Sequence, residues 1–213
     1  DKVFISIGGN DPTVVKEVSE AIPTFYTELG MTSQNILTKE IPQMGHAIPT
    51  MDFGNPCHFD TEPPWISQCG LEDAPDGAGD GAGNMFKHLY GEENLNPRND
   101  GQLSGKFVEF DQSEFTSQVG ALSPRSIGMN DKGVLYVPEA CDPEMHPENE
   151  CKLHVFFHGC RMNYDRQPVD RWGDNSSYDG NGLWRIPYPI YEGTMWENAG
   201  LNEWADSNQM IVM

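Results

Sequence analysis

The chain has 213 residues and a formal net charge of −20, from 13 basic and 33 acidic residues. A field of that sign repels phosphate backbones and argues against a nucleic-acid partner. No apolar run approaches the ~20 residues of a membrane-spanning helix, no signal peptide is visible, and 22 Gly with 16 Pro require abundant loops.

The length suits one domain with a sizeable core, taken as residues 1–213. Val3 to Ile7 is β-branched and aromatic and ends in Gly8-Gly9-Asn10, which predicts a buried strand meeting a turn. Thr13 to Leu29 places Val14, Val18, Ala21, Ile22, Phe25 and Leu29 on one helical face. Pro23 kinks or interrupts that helix and Gly30 ends it. Asn35 to Ile41 predicts a second strand, closed by Pro42. Residues 76–83 double the tetrapeptide DGAG; their acidic spacing does not fit an EF-hand. They are read as a flexible lead into a helix over Asn84–Tyr90.

Ser104–Phe110, Gly133–Pro138 and Lys152–Phe157 read as strands, the last two as neighbours around the Cys141–Cys151 loop. Arg161 to Tyr191 is polar, aromatic and loop-like. Glu197–Asn208 predicts a helix with Leu201, Trp204 and Ala205 inward, and Gln209–Met213 begins a strand. Strands separated by helices favour an α/β fold with a mostly parallel sheet. Strand-like runs at both ends lead us to expect a sheet incomplete at both termini.

Five cysteines are unevenly placed. Cys57 with Cys69, and Cys141 with Cys151, each bracket a short polar loop, which suggests two local disulfides and an oxidising, extracellular compartment. A zinc site is the poorer reading, because no Cys-x-x-Cys occurs. Cys160 is left over. Asn175-Ser176-Ser177 is a glycosylation sequon.

The chemistry lies in an order of motifs. A serine esterase needs a nucleophile, a base, an acid that orients the base, and donors for the oxyanion. Asp11, in the turn after the first strand, suits the acid; taken alone it is equally a turn or helix-capping residue. His46, on a loop after the next strand, suits the base; taken alone it is a structural loop histidine. His158-Gly159-Cys160 follows a strand as an oxyanion loop does, with the Cys160 N–H as donor. Its plain alternative is a tight glycine turn. No serine sits in a Gly-x-Ser-x-Gly elbow. Because the oxyanion loop comes after Asp and His, the motif order implies a circular permutation, with the serine outside these residues.

These stretches resemble the circularly permuted, single-domain fungal type of secreted polyhydroxybutyrate depolymerase, within the α/β-hydrolase superfamily. The resemblance runs through VFISIGGNDPTVV, MGHAIPT, NPCHFDTEPPWISQC, DGAGNMFKHLYG, GQLSG, GVLYVPEAC, CKLHVFFHGC and GLNEWADSNQMIVM. It implies that Asp11 and His46 are triad acid and base, that Cys160 lends an oxyanion amide, and that no metal or organic cofactor is needed. The implied substrate is a poly-(R)-3-hydroxybutyrate-type polyester or its oligomers. Trp172, Trp184 and Trp196 are candidate polymer contacts, and Trp204 is a core residue. The rivals are another secreted carboxylesterase, acting on acetyl, feruloyl or aryl esters, and a non-catalytic hydrolase-fold binding or structural protein that lacks the nucleophile.

Overall fold

The computed structural model describes residues 1–58, 64–116, 118, 120, 122–159 and 193–213. Two compact units emerge among them. One holds Asp1–Leu95 with Glu197–Gly200; the other holds the residues from Asn96 to Gly159, 193–196 and Leu201–Met213.

In the first unit β1 (Val3–Gly8) pairs in parallel with β2 (Ile36–Ile41), Val3 opposite Ile36 and Gly8 opposite Ile41. A parallel pair needs a crossover, and α1 (Lys16–Glu28) supplies it. Pro23 lies inside α1 without ending it. The predicted apolar face is turned differently from expectation. Ser19 is buried, whereas Val18, Phe25 and Leu29 are exposed. The inward stripe therefore runs through positions 19, 22 and 26, one residue round the helix from the one read in the sequence.

After β2 come β3 (Ile48–Thr50), β4 (Asn55–Pro56) and β5 (Ile66–Gln68), a small parallel sheet in the order β3-β5-β4. Cys57 and Cys69 are bonded across it. The doubled DGAG is not a flexible lead. Asp76 Oδ1 accepts from the Ala78 N–H, and Asp80 Oδ1 accepts from Gly83 N–H at 2.8 Å. With Asp80 as N-cap, α2 spans Gly81–Tyr90, three residues longer than predicted at its start. Ala78 and Ala82 are buried, so the alanines of the repeat pack inward while Asp76 stays exposed.

The second unit is built on a four-stranded sheet in the order β6-β7-β9-β8. It comprises β6 (Lys106–Asp111), β7 (Lys132–Val137), β8 (Lys152–His154) and β9 (Met210–Val212). A short helix, α3 (Ser113–Thr116), follows β6. β6–β7 and β7–β9 are antiparallel; β8–β9 is parallel. Parallel pairings thus predominate among the described residues, as expected, and this third sheet is mixed. Two expectations fail here. β7 and β8 are not neighbours, because β9 lies between them, and β8 ends at His154 although Phe156 N–H still reaches the Met213 carbonyl at 2.6 Å. Cys141 and Cys151 are bonded, joining the connection after β7 to the residue before β8.

The predicted helix over Glu197–Asn208 is two helices, α4 (Thr194–Asn198) and α5 (Leu201–Ser207). The break is at Gly200, whose φ of 77° ends α4 in a left-handed turn that favours glycine. Asn202 Nδ2 donates to the Trp196 carbonyl at 2.7 Å, satisfying an acceptor that the break leaves without a helical donor. Leu201, Trp204 and Ala205 are buried, as predicted.

Asp206 on α5 ties the sheet to the segment before β6. It accepts from Tyr136 Oη at 2.5 Å, from Asn99 Nδ2 at 2.7 Å and from Ser104 Oγ at 2.8 Å. Burial opposes ionisation of Asp206, but these donors win and hold its carboxyl below the usual range. Burial first, and then the Asp206 carboxylate, push the Tyr136 phenol far above its ordinary value. Among the described residues no helix is long and apolar enough to cross a membrane.

Candidate active site

β1 and β2 end side by side, and the two turns that follow them are laced together. Gly9 N–H donates to the Ile41 carbonyl at 2.9 Å, and Asn10 N–H donates to the Met44 carbonyl at 3.0 Å. Such closeness requires glycine. A Cβ on Gly8 would lie 2.4 Å from the Gly45 carbonyl oxygen and 2.6 Å from that of Met44. The sequence run that ends a buried strand in Gly-Gly therefore does more than turn the chain. It lets the strand end lie against the His46 loop.

Asp11 and His46, 35 positions apart, meet in this lacing: His46 Nδ1 lies 2.8 Å from Asp11 Oδ2. The other carboxylate oxygen, Oδ1, accepts from the N–H groups of Thr13 and Val14, both at 2.8 Å. Asp11 does not cap α1, whose N-cap is Val15 without a side-chain bond. It closes a tight turn and contacts the imidazole at once, so the expected turn residue also stands beside the expected base. The Asp11 side chain is 11% exposed and that of His46 38%. A largely buried carboxylate accepting from Nδ1–H leaves Nε2 as the basic nitrogen. That is the arrangement of an acid that orients a general base.

The remaining histidines are placed otherwise. His88 Nε2 meets the Asn35 carbonyl at 3.0 Å, and His146 Nδ1 lies 3.9 Å from Glu148. Burial pushes His154 below its usual value, favouring the neutral ring at the end of β8. His158 and Gly159 follow that strand; His158 Nδ1 lies 2.8 Å from the Gly159 carbonyl oxygen. Cys160, the expected oxyanion donor, lies outside the described residues, as do Asn175, Trp172 and Trp184. Trp204 is buried in the core. Trp196 lines a cavity of about 300 Å³ in the second unit, with Phe107, Phe156, Phe157 and His158.

Three residues at the Asp11–His46 pair escaped the sequence reading. The amides of Thr13 and Val14 carry no side-chain signature; the only hint is an Asp followed by Pro12 in a turn. Met44, two residues before His46, is 2% exposed and gives its carbonyl to Asn10. It reads in sequence as an ordinary loop residue.

Comparison with known proteins gives one consistent neighbourhood. The chain is 32% identical over 213 residues to a poly(3-hydroxybutyrate) depolymerase of Delftia acidovorans, covering all of this chain and 34% of that protein. It is 31% identical over 218 residues to a polyhydroxybutyrate depolymerase of Talaromyces funiculosus, covering all of this chain and 50% of that protein. The crystal structure of PHB depolymerase from Penicillium funiculosum superposes with a TM-score of 0.69 at 30% identity, over 99% of this chain and 52% of that one. A structure of a serine-to-alanine PHB depolymerase complexed with an R3HB trimer matches with the same TM-score and coverage. No family model matches the chain. The chain thus spans between a third and about half of the length of the relatives it matches. Its fold is the mixed α/β, hydrolase-like fold of the matching part of those depolymerases.

Proposed function

We propose that these residues carry the acid and base of a secreted serine ester hydrolase. Its substrates are poly-(R)-3-hydroxybutyrate-type polyesters or their oligomers. The observation that carries the reading is the Asp11–His46 contact, with the second Asp11 oxygen anchored on two backbone amides. The substrate class is supported by the names of the relatives, and secretion is supported by the two disulfides.

In this reading a serine outside these 213 residues attacks the ester carbonyl. His46 Nε2 takes the serine proton and returns it to the leaving alkoxide. Asp11 keeps the proton of His46 on Nδ1 and stabilises the imidazolium that forms. The Cys160 N–H shares the oxyanion with the amide that follows the nucleophile. Water then attacks the acyl-enzyme with His46 again as base, releasing the hydroxyacid. No step calls for a metal or organic cofactor.

The test uses the natural secreted protein. We expect a fluorophosphonate probe to label one serine, in a peptide that is not part of residues 1–213, and we expect 3-hydroxybutyrate products from a polymer film. Both should vanish in His46→Ala. A protein that neither takes the probe nor releases product would instead be a binding protein of this fold, a reading favoured by the lack of a Gly-x-Ser-x-Gly elbow in these residues.

A further inference from the structure

The Asp11–His46 pair depends on two turns keeping their spacing, and one residue, Met44, is bonded to both. Met44 N–H donates to the Ile41 carbonyl at 3.1 Å, where β2 ends. Its carbonyl accepts from Asn10, the residue before Asp11, at 3.0 Å. The same carbonyl is what the missing Cβ of Gly8 leaves room for. Its side chain belongs to one buried cluster with Ile41, Cys57, Cys69, Ala74 and Ala78. Two of those members are the bonded cysteines, at 1% and 0% exposure. Downstream of the histidine, Ile48 N–H is fixed to the Trp65 carbonyl at 2.8 Å, so the loop is held on both sides.

We propose that Met44 is a positioning residue for the Asp11–His46 pair, and that the buried Cys57–Cys69 bridge is what holds Met44 in place. The significance for catalysis rests on the functional reading above; the mechanical claim does not. Through its side chain Met44 senses the packing around the bridge. Through its carbonyl it passes that position to Asn10, and so to Asp11. Removing the bridge unties two members of the cluster from each other, and a flexible thioether packed on them then samples several rotamers. The Asn10 contact then fluctuates, and the imidazole leaves the carboxylate more often.

The experiment reads the His46 Nδ1 proton by NMR in the natural protein without substrate. A proton held by Asp11 resonates far downfield and exchanges slowly with water. In Met44→Ala and in the double variant Cys57→Ser/Cys69→Ser, exchange of that proton should accelerate by at least about tenfold, reporting more frequent local opening. Met44→Leu should restore slow exchange. Phe86→Leu, a core change outside the cluster, and Cys141→Ser/Cys151→Ser should leave it unchanged.

Unaltered exchange in both Met44→Ala and the Cys57/Cys69 variant overturns the proposal. So does equal acceleration in Phe86→Leu, which would reduce the effect to general loosening. Absence of a downfield His46 proton in the unmodified chain overturns it as well. If the cysteine variant does not fold, Met44→Ala and its leucine rescue decide alone; if Met44→Ala does not fold, Met44→Val takes its place. A failed esterase assay would sink the functional reading and leave this outcome standing.

Discussion

His46 reaches Asp11 across 35 positions of sequence and stops 2.8 Å from a single carboxylate oxygen, Oδ2, because Oδ1 is already engaged by the Thr13 and Val14 amides. The carboxylate cannot swing, so it offers the imidazole one orientation. Asp11→Asn keeps the shape but presents an amide that favours the wrong imidazole tautomer. In the natural protein it should lower kcat about 10³–10⁴-fold with little change in KM. Steady-state kinetics on a soluble hydroxybutyrate oligomer checks this; a loss confined to KM would argue against the acid role.

The 213-residue chain, prepared alone, should take no fluorophosphonate label. Its sequence holds no serine in a nucleophile elbow; among the described residues Ser126 Oγ donates to the Ser123 carbonyl at 2.6 Å and Ser104 Oγ to the Asp206 carboxylate at 2.8 Å. Intact mass spectrometry after probe treatment reads the result. One covalent adduct per chain, lost in His46→Ala, would place the nucleophile within these residues.

Both disulfides should survive in a non-reducing peptide map, with Cys57 linked to Cys69 and Cys141 to Cys151. Each closes a loop of a dozen residues or fewer, so each contributes about 3 kcal/mol in the chain-entropy account. Denaturant unfolding of Cys141→Ser/Cys151→Ser should show a loss of that order. Free thiols at these four positions in secreted material would contradict the extracellular assignment.

Tyr136 and Asp206 predict the pH dependence of the second unit. The Asp206 carboxyl is held below its unfolded value, so its contribution is present above the ordinary carboxylate range and lost as pH falls through the folded value. The Tyr136 phenol is raised, so its contribution is present below the ordinary phenol range and lost as pH climbs through the folded value. Asp206→Asn should flatten the acid limb of Tm against pH, and Tyr136→Phe the alkaline limb. Tyr136→Phe should also cost about 1.5–3 kcal/mol at neutral pH, the range for a hydrogen bond to a charged group. Parallel limbs in variant and parent would refute the assignment.

Gly8→Ala places a methyl group 2.4 Å from the Gly45 carbonyl oxygen, which belongs to backbone and cannot rotate away. The two turns must part. Stability should fall by about 1–3 kcal/mol, the usual cost of overpacking, and the downfield His46 proton should broaden. A parent-like spectrum would mean that the turns have slack.

Much of this was legible before the structure. A β-branched run ending in Gly-Gly-Asn-Asp, and a second strand ending before Met44-Gly45-His46, place an acid and a base on consecutive turns. The cysteine spacing paired correctly because short loops leave few choices. What escaped was non-local. The apolar spacing of α1 could not say which side of the helix meets β1, since rotation is set by the turn that Asp11 closes. The neighbours of β7 and β8 could not be read from their adjacency in sequence, because β9 comes from more than fifty residues downstream of β8. The helix break at Gly200 depended on a left-handed φ that the apolar periodicity hides. The DGAG repeat misled because glycine reads as flexibility, whereas Asp76 and Asp80 each clamp it from within.

The strand order β6-β7-β9-β8 also bears on the timetable of synthesis. A ribosome delivers β6 and β7 first and they can pair at once, but β8 then emerges ahead of β9, its partner among the described strands. Its proper neighbour is made only when Met210–Val212 appear, several seconds later at about 5–20 residues per second. Throughout that interval the edges of β7 and β8 that β9 will fill are open to wrong pairing, with one another or with a second nascent chain. The Cys141–Cys151 bond requires only residues that are already present. Formed early, it would tether the two strands and hold a slot for the latecomer.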